Sequence, residues 1–143
     1  MSNMEKANKL TYSEISEGDV YSFSRIVTRK DVLTFAKLSG DFNPLHIDED
    51  FGNKSQFKAN LVHGMLAASL FSNLVGMHCP GEKSLYISQT LNFRLPICCN
   101  EQLIARGTVI SKNDSARLIT LKTEILKGEK IAVSGEAKVK VME

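Results

Sequence analysis

The sequence predicts an α+β domain in which an antiparallel sheet wraps around one long apolar helix. Two observations carry that expectation. The C-terminal half alternates apolar and polar residues with period two, in stretches separated by short polar turns. That is the pattern of antiparallel strands with one buried face. Upstream, the run from Gly64 to about Met77 sets Met65, Leu66, Ala67, Ala68, Leu70, Phe71, Leu74 and Val75 on nearly every side of a helix. A helix apolar all round belongs in a core. With 143 residues, 43% of them hydrophobic and 24% charged, the chain has the size and balance of a single globular domain.

Residues 1–12 are polar and expected to form a flexible tail, leaving 13–143 as the domain. Asp19 to Val27 alternates enough for a first strand, with Val20, Ser22, Ser24 and Ile26 on one side. Thr28-Arg-Lys-Asp31 has capping-box spacing and marks a helix start. Val32, Leu33, Phe35, Ala36 and Leu38 supply the apolar face of this helix, and Gly40 stands where its C-terminus favours positive φ. Pro44 biases Asn43 away from the helical region, so Asp41 to His46 is expected as a loop. Asp48 to Asn60 reads mostly as connector.

Four strands follow the apolar helix. Leu85, Ile87, Leu91, Phe93 and Leu95 share one parity and end at Pro96. Leu103, Ala105, Gly107 and Val109 form the second set, closed by Ser111-Lys-Asn-Asp114. Ile119, Leu121, Thr123 and Ile125 form the third, closed by Lys127-Gly-Glu129. In the fourth, Ile131, Val133, Gly135, Ala137, Val139 and Val141 face one way and Ser134, Glu136, Lys138 and Lys140 the other. Strands of about ten residues exceed the usual five or six. Their long edges must be covered, and pairing between two subunits does so, which predicts a homodimer.

Composition excludes several function classes. A net charge of +2, evenly spread, argues against nucleic acid and membrane partners. The N-terminus has no apolar run of the signal-peptide kind. Leu61 to Cys79 is interrupted by His63, Ser69, Ser72, Asn73 and His78, which suits a buried helix better than a membrane span. Three cysteines, Cys79, Cys98 and Cys99, without a Cys-x-x-Cys, give neither a disulfide framework nor a zinc knuckle. The expected location is cytoplasmic, with reduced thiols.

The stretch most informative about chemistry runs from Gly40 to Met65: Gly-Asp-Phe-Asn-Pro-Leu-His, then sixteen residues, then His-Gly-Met. Asp41 and His46 flank an Asn-Pro break, and a His-Gly step opens the apolar helix. A carboxylate and an imidazole converging near a helix N-terminus can move protons and hold a developing oxyanion. That combination points to an enzyme acting on a carbonyl compound. Plainer structural roles stand beside it. Asp41 could be a turn acid, Asn43 a brace of the loop, and His63 a cap or supporting group. His78 suits a helix end, and Ser72 could pack in the core bonded to a backbone carbonyl. Cys98 and Cys99 suit strand-end packing. His46, His63, His78 and Cys79 lack standard metal-ligand spacing, so no metal is expected.

The runs Ser39-Gly-Asp-Phe-Asn-Pro-Leu-His-Ile-Asp48 and Leu61-Val-His-Gly-Met-Leu-Ala-Ala-Ser-Leu-Phe-Ser72 resemble the R-specific enoyl-CoA hydratases of the MaoC-like, hot-dog-fold group. The resemblance covers about Thr11 to Val141. It implies Asp41 and His46 as the catalytic carboxylate and imidazole, the Gly64 N–H as oxyanion-hole donor, and Ser72 as support for the active site. Ala59-Asn60 departs from the Arg-Pro common in that group. The implied activity is that of a hydro-lyase: reversible addition of water to trans-2-enoyl-CoA, giving (R)-3-hydroxyacyl-CoA, in fatty acid metabolism. Coenzyme A enters as part of the substrate, and no cofactor is needed. One alternative is a (3R)-hydroxyacyl dehydratase acting on acyl carrier protein. A hot-dog thioesterase fits Asp41 but gives His46 no required role. A non-catalytic acyl-CoA-binding module has no need of the pair.

Overall fold

Period-two alternation sets the strands, and capping chemistry sets the helices. In the computed structural model, which describes residues 4–143, the strands are β1 (Val20–Ile26), β2 (Ser84–Gln89), β3 (Asn92–Phe93), β4 (Gln102–Asn113), β5 (Leu118–Lys127) and β6 (Lys130–Val141). They form one six-stranded antiparallel sheet in the order β1-β4-β5-β6-β2, with β3 also paired to β6. The predicted inward residues of β4, β5 and β6 are buried, among them Leu103, Ala105, Val109, Ile119, Leu121, Ile125, Ala137, Val139 and Val141. Register irregularities between Val109 and Ser111, and between Ile125 and Leu126, bend these long strands.

The first helix, α1 (Arg29–Ser39), starts on the predicted capping box of Thr28 and Asp31 and ends at Gly40 with φ 80°. Two short helices follow, α2 (Pro44–Ile47) and α3 (Glu49–Lys54), the second capped by the Asp48 side chain. The apolar run is helical over 15 residues, Gly64 to His78. It comprises α4 (Gly64–Ala68), α5 (Leu70–Asn73) and a π-helical segment, Leu74–His78. Ala67, Leu70, Phe71 and Leu74 meet Leu103, Ala105, Ile125 and Val133 of the sheet in one core cluster. Val75 joins a second cluster with Val109, Ile119, Leu121 and Val139.

In β1, Val20, Ser22, Ser24 and Ile26 do share one side, which is exposed, and Tyr21 and Phe23 pack half-buried on the other. Four expectations need correction. His46 sits on the one-turn helix α2, not in a loop. The strand expected to end at Pro96 breaks into β2 and β3, because Thr90 turns its N–H to Glu136 O (2.9 Å) and its carbonyl lies against Gly135. β4 runs to Asn113, so the turn to β5 falls at 114–117. The apolar helix leaves Gly64, Met65, Ser69 and Ser72 exposed, because the sheet covers only part of its circumference. Residues 1–3 of the expected tail lie outside the described residues. From Asn8 the segment is tied down: Asn8 donates to Met77 O and His78 O (2.9 Å each), and Tyr12 to Asp114 (2.7 Å).

Gly135 tests the β2–β3 break. A Cβ there would stand 1.8 Å from the Thr90 carbonyl oxygen, a backbone atom that cannot swing aside. Overpacking of a filled site costs about 1–3 kcal/mol. Gly135→Ala is expected at or above the upper end, read as a lowered midpoint in urea with an unchanged slope. An unchanged midpoint would mean that Thr90 does not cross the strand there.

Candidate active site

Asn43 and Pro44 shape the segment that carries the acid and the base. Pro44 holds Asn43 extended (φ −54°, ψ 129°), and Asn43 Oδ1 accepts the Leu45 N–H at 3.0 Å. Extended Asn43 is therefore an N-cap, with proline at the first helical position. One turn later stands His46. Asp41 precedes the cap: its N–H donates to Ser39 Oγ (3.2 Å), and its Oδ1 accepts the Asn43 N–H (3.1 Å). Asn43 thus braces the segment from both directions.

His46 Nδ1 lies 2.8 Å from Leu61 O. A carbonyl only accepts, so Nδ1 carries the proton and Nε2 keeps its lone pair. Asp41, His46 and His63 each bring a side-chain oxygen or nitrogen within 4.8 Å of the others. The same three could approach a cation. His63 Nε2, however, lies 3.0 Å from Asp41 O and so holds a proton toward that carbonyl, leaving only Nδ1 as a ligand.

Two residues that sequence reasoning missed hold α2 in place. Arg29 donates to His46 O (2.8 Å), Asn60 Oδ1 (3.0 Å) and Ile47 O. Asn60 Nδ2 donates to Leu45 O (2.9 Å) and Asp48 O (2.8 Å). Asn60 was singled out only as half of the Ala59-Asn60 departure. Nothing in the spacing of Arg29 announces its role.

The helix start is positioned by backbone pairing. Leu61 N–H donates to Leu45 O (3.1 Å), and Val62 N–H to Ile97 O (2.7 Å). His63 is the N-cap residue, and its carbonyl accepts the Ala67 N–H at 3.1 Å. Gly64 N–H, at the positive end of this helix, has no backbone acceptor among the described residues. A cleft of about 410 Å³ opens there, lined by His46 and Gly64 with Phe57, Leu61, Phe93 and Ile97 among its apolar walls. A Cβ on Gly64 would come within 2.9 Å of the Phe93 ring. Glycine leaves that approach open.

The fold thus brings Asp41 and His46 together and puts Gly64 in one cleft with His46. Ser72 lies outside that lining, exposed, two helical turns from Gly64, and makes no side-chain hydrogen bond among the described residues. His78 stacks on Phe23 with ring centres 5.2 Å apart at the far end of the helix. The thiols are poor nucleophile candidates. Burial pushes Cys79 up to about 12 and also raises Cys98 and Cys99, which disfavours the thiolate. No helix among the described residues is long and apolar enough to cross a membrane.

Comparison with known proteins agrees with this geometry. The MaoC-like domain model matches residues 13–137. The chain is 44% identical over 112 residues to the (R)-specific enoyl-CoA hydratase of Aeromonas caviae, covering 78% of this chain and 84% of that one. A solved structure of an (R)-hydratase from A. caviae superposes with a TM-score of 0.86 at 40% identity, over 89% of this chain and 97% of that one. A mitochondrial 3-hydroxyacyl-[acyl-carrier-protein] dehydratase of Arabidopsis thaliana is 32% identical over 124 residues, 84% of this chain and 74% of that one. With its six-stranded sheet around a 15-residue helix, the chain has the hot-dog fold and belongs to the MaoC-like domain family.

Proposed function

We propose that this chain is an (R)-specific enoyl-CoA hydratase in which Asp41 and His46 share one water and the Gly64 N–H holds the thioester oxygen. The observation that carries the reading is the convergence of the Asp41 carboxylate and the His46 ring within 4.8 Å, with Gly64 opening into the cleft that His46 lines. The kinship with (R)-specific hydratases supplies the substrate class and the hand of the product.

The water oxygen bonds to C3 of the enoyl chain as one of the pair takes its proton. The C2–C3 π electrons move toward the thioester carbonyl, whose oxygen gains charge and accepts from Gly64 N–H. C2 then takes a proton back from the pair, which restores both groups, and the reverse sequence is dehydration. Positioned acid–base groups contribute about 10²–10⁴-fold, and loss of one oxyanion donor costs about 3 kcal/mol. The step balances with water alone, and His46 is oriented for it by Leu61 O, with bare Nε2 as the proton acceptor. Asn43 braces the segment, and Ser72 keeps a supporting role only if a further surface closes over its exposed side. The second reading, a dehydratase acting on acyl carrier protein, uses the same atoms and is favoured by the plant relative.

The assay is crotonyl-CoA with enzyme, followed by loss of the conjugated-thioester absorbance and chiral analysis of the product. Release of free thiol without hydroxyacyl product would establish a thioesterase instead. Asp41→Asn and His46→Ala are each expected to lower kcat/KM by about 10²-fold or more with melting temperature little changed. The double variant should lose little beyond the worse single one, because residues acting on one water fail together. Near-normal turnover in either single variant would end the shared-water mechanism.

Gly64→Ala keeps the N–H but sets a methyl against Phe93 at the cleft. It is expected to fold, since alanine favours helix by up to about 1 kcal/mol, with kcat/KM much reduced. Full activity would move the oxyanion assignment elsewhere.

The proposed homodimer rests on the β2 edge. Leu85 is 48% exposed, Ile87 53% and Phe93 53%, an apolar strip beside unpaired strand backbone. A second copy pairing there would cover it. Light scattering at micromolar concentration should give twice the chain mass of 15.8 kDa, and a monomer mass would refute it.

A further inference from the structure

We infer that His63 is a positioning residue of this site, a single imidazole that fixes the backbone of Asp41 and the plane of the His46 ring from the residue just before Gly64. The inference rests on the hydratase reading. Four observations carry it. His63 is 2% exposed. Its Nε2 donates to Asp41 O at 3.0 Å. Its ring stacks on His46 with centres 4.0 Å apart and planes 27° from parallel. Its backbone is the N-cap of the helix whose first residue is Gly64.

A histidine that merely fills the core does not need this arrangement. His63 Nδ1 is buried without any partner among the described residues, so an apolar ring of similar size would fill the space without stranding an acceptor. The imidazole offsets that penalty through its other nitrogen, which reaches the carbonyl of Asp41. Phe35 closes the opposite side, edge-on at 4.8 Å, so the ring cannot tilt without displacing either Phe35 or His46. Asn43 links the two along the chain, donating its N–H to Asp41 Oδ1 (3.1 Å) and accepting the His46 N–H on its carbonyl (2.9 Å), while Leu61 O holds His46 Nδ1. His63 adds a tie from the core side, between the Asp41 carbonyl and the face of the His46 ring. Misplacement by about 1 Å in such a constellation can cost about 10²-fold in rate.

The full chain carries the test. His63→Phe keeps a ring against His46 and Phe35 but deletes the N–H. His63→Gln keeps an N–H near the place of Nε2 but deletes the ring. Expected for His63→Phe is a kcat about 10²-fold lower, with KM and melting temperature near those of the parent. His63→Gln should recover about tenfold of that loss. A His63→Phe enzyme with parental kcat overturns the inference. If Asp41→Asn still abolishes activity in the same assay, the hydratase reading survives that result. Should His63→Phe fail to fold, or should the parent show no hydration, the long-range ¹H–¹⁵N imidazole spectrum of the parent decides. A proton on Nε2 of His63 and on Nδ1 of His46 supports the inference, and a proton on Nδ1 of His63 overturns it.

Discussion

The backbone of Leu61 and Val62 is the junction on which the site depends. Leu61 donates to Leu45 O and accepts from His46 Nδ1, Val62 donates to Ile97 O, and Leu61 bridges Cys98. Three stretches of chain distant in sequence meet across two buried residues. Hydrogen bonds in such surroundings are electrostatically stronger than in water, and leaving one unmade is costly. Extended backbone alternates its groups with period two, so a slip of one residue would turn the Leu61 carbonyl away from His46. The same segment runs through the N-cap His63 into the helix start, so its pairing also sets where the Gly64 amide stands. The groups proposed for acid–base chemistry and for oxyanion binding therefore share one register.

A four-residue helix cannot hold itself, because almost none of its backbone groups find partners within it. α2 persists because side chains supply the missing partners. Asn43 takes the N-terminal N–H, while Arg29 and Asn60 fill the carbonyls of Leu45, His46, Ile47 and Asp48. Arginine suits this task, since its planar fork offers several donors in fixed directions. Asn60 does something similar with one amide. Where the resemblance leads one to expect proline, this chain has a residue that donates. The departure noted in the sequence therefore bears on how α2 is held as well as on the mouth of the site.

What was legible in the sequence was local or periodic. The Thr28 capping box, the Gly40 stop and the inward faces of β4, β5 and β6 follow from nearest neighbours and from period two. The constraint of Pro44 on Asn43 was also read correctly, yet an extended residue before proline is as good an N-cap as a loop residue, so α2 was missed. The break between β2 and β3 depends on Gly135 meeting Thr90, a contact that no local pattern announces. Asp41, His46 and Gly64, the groups proposed for the chemistry, stood out in the motif by residue type and spacing. Arg29, Asn60 and His63 act on backbone carbonyls far along the chain, and only the fold makes those contacts visible. The exposed position of Ser72 follows from the limited wrap of the sheet, which helix apolarity cannot reveal.

The groups proposed for the chemistry stand at the open side of their supports, of which Asn43 is exposed, Arg29 and Asn60 are half-buried and His63 is buried. Asp41 and Gly64 face solvent, and His46 is half-buried. Water is a reactant, so the acid–base pair must be reachable by it. A carboxylate sunk in the core would also carry a large desolvation cost before any substrate arrived. In the proposed reaction the apolar walls of the cleft, Phe57, Leu61, Phe93 and Ile97, act when the acyl thioester enters and displaces bulk water around Gly64. With that water gone, one N–H at a helix start exerts a stronger pull on the growing oxyanion than it would in solvent. The reacting centre thus becomes dry only when it is occupied.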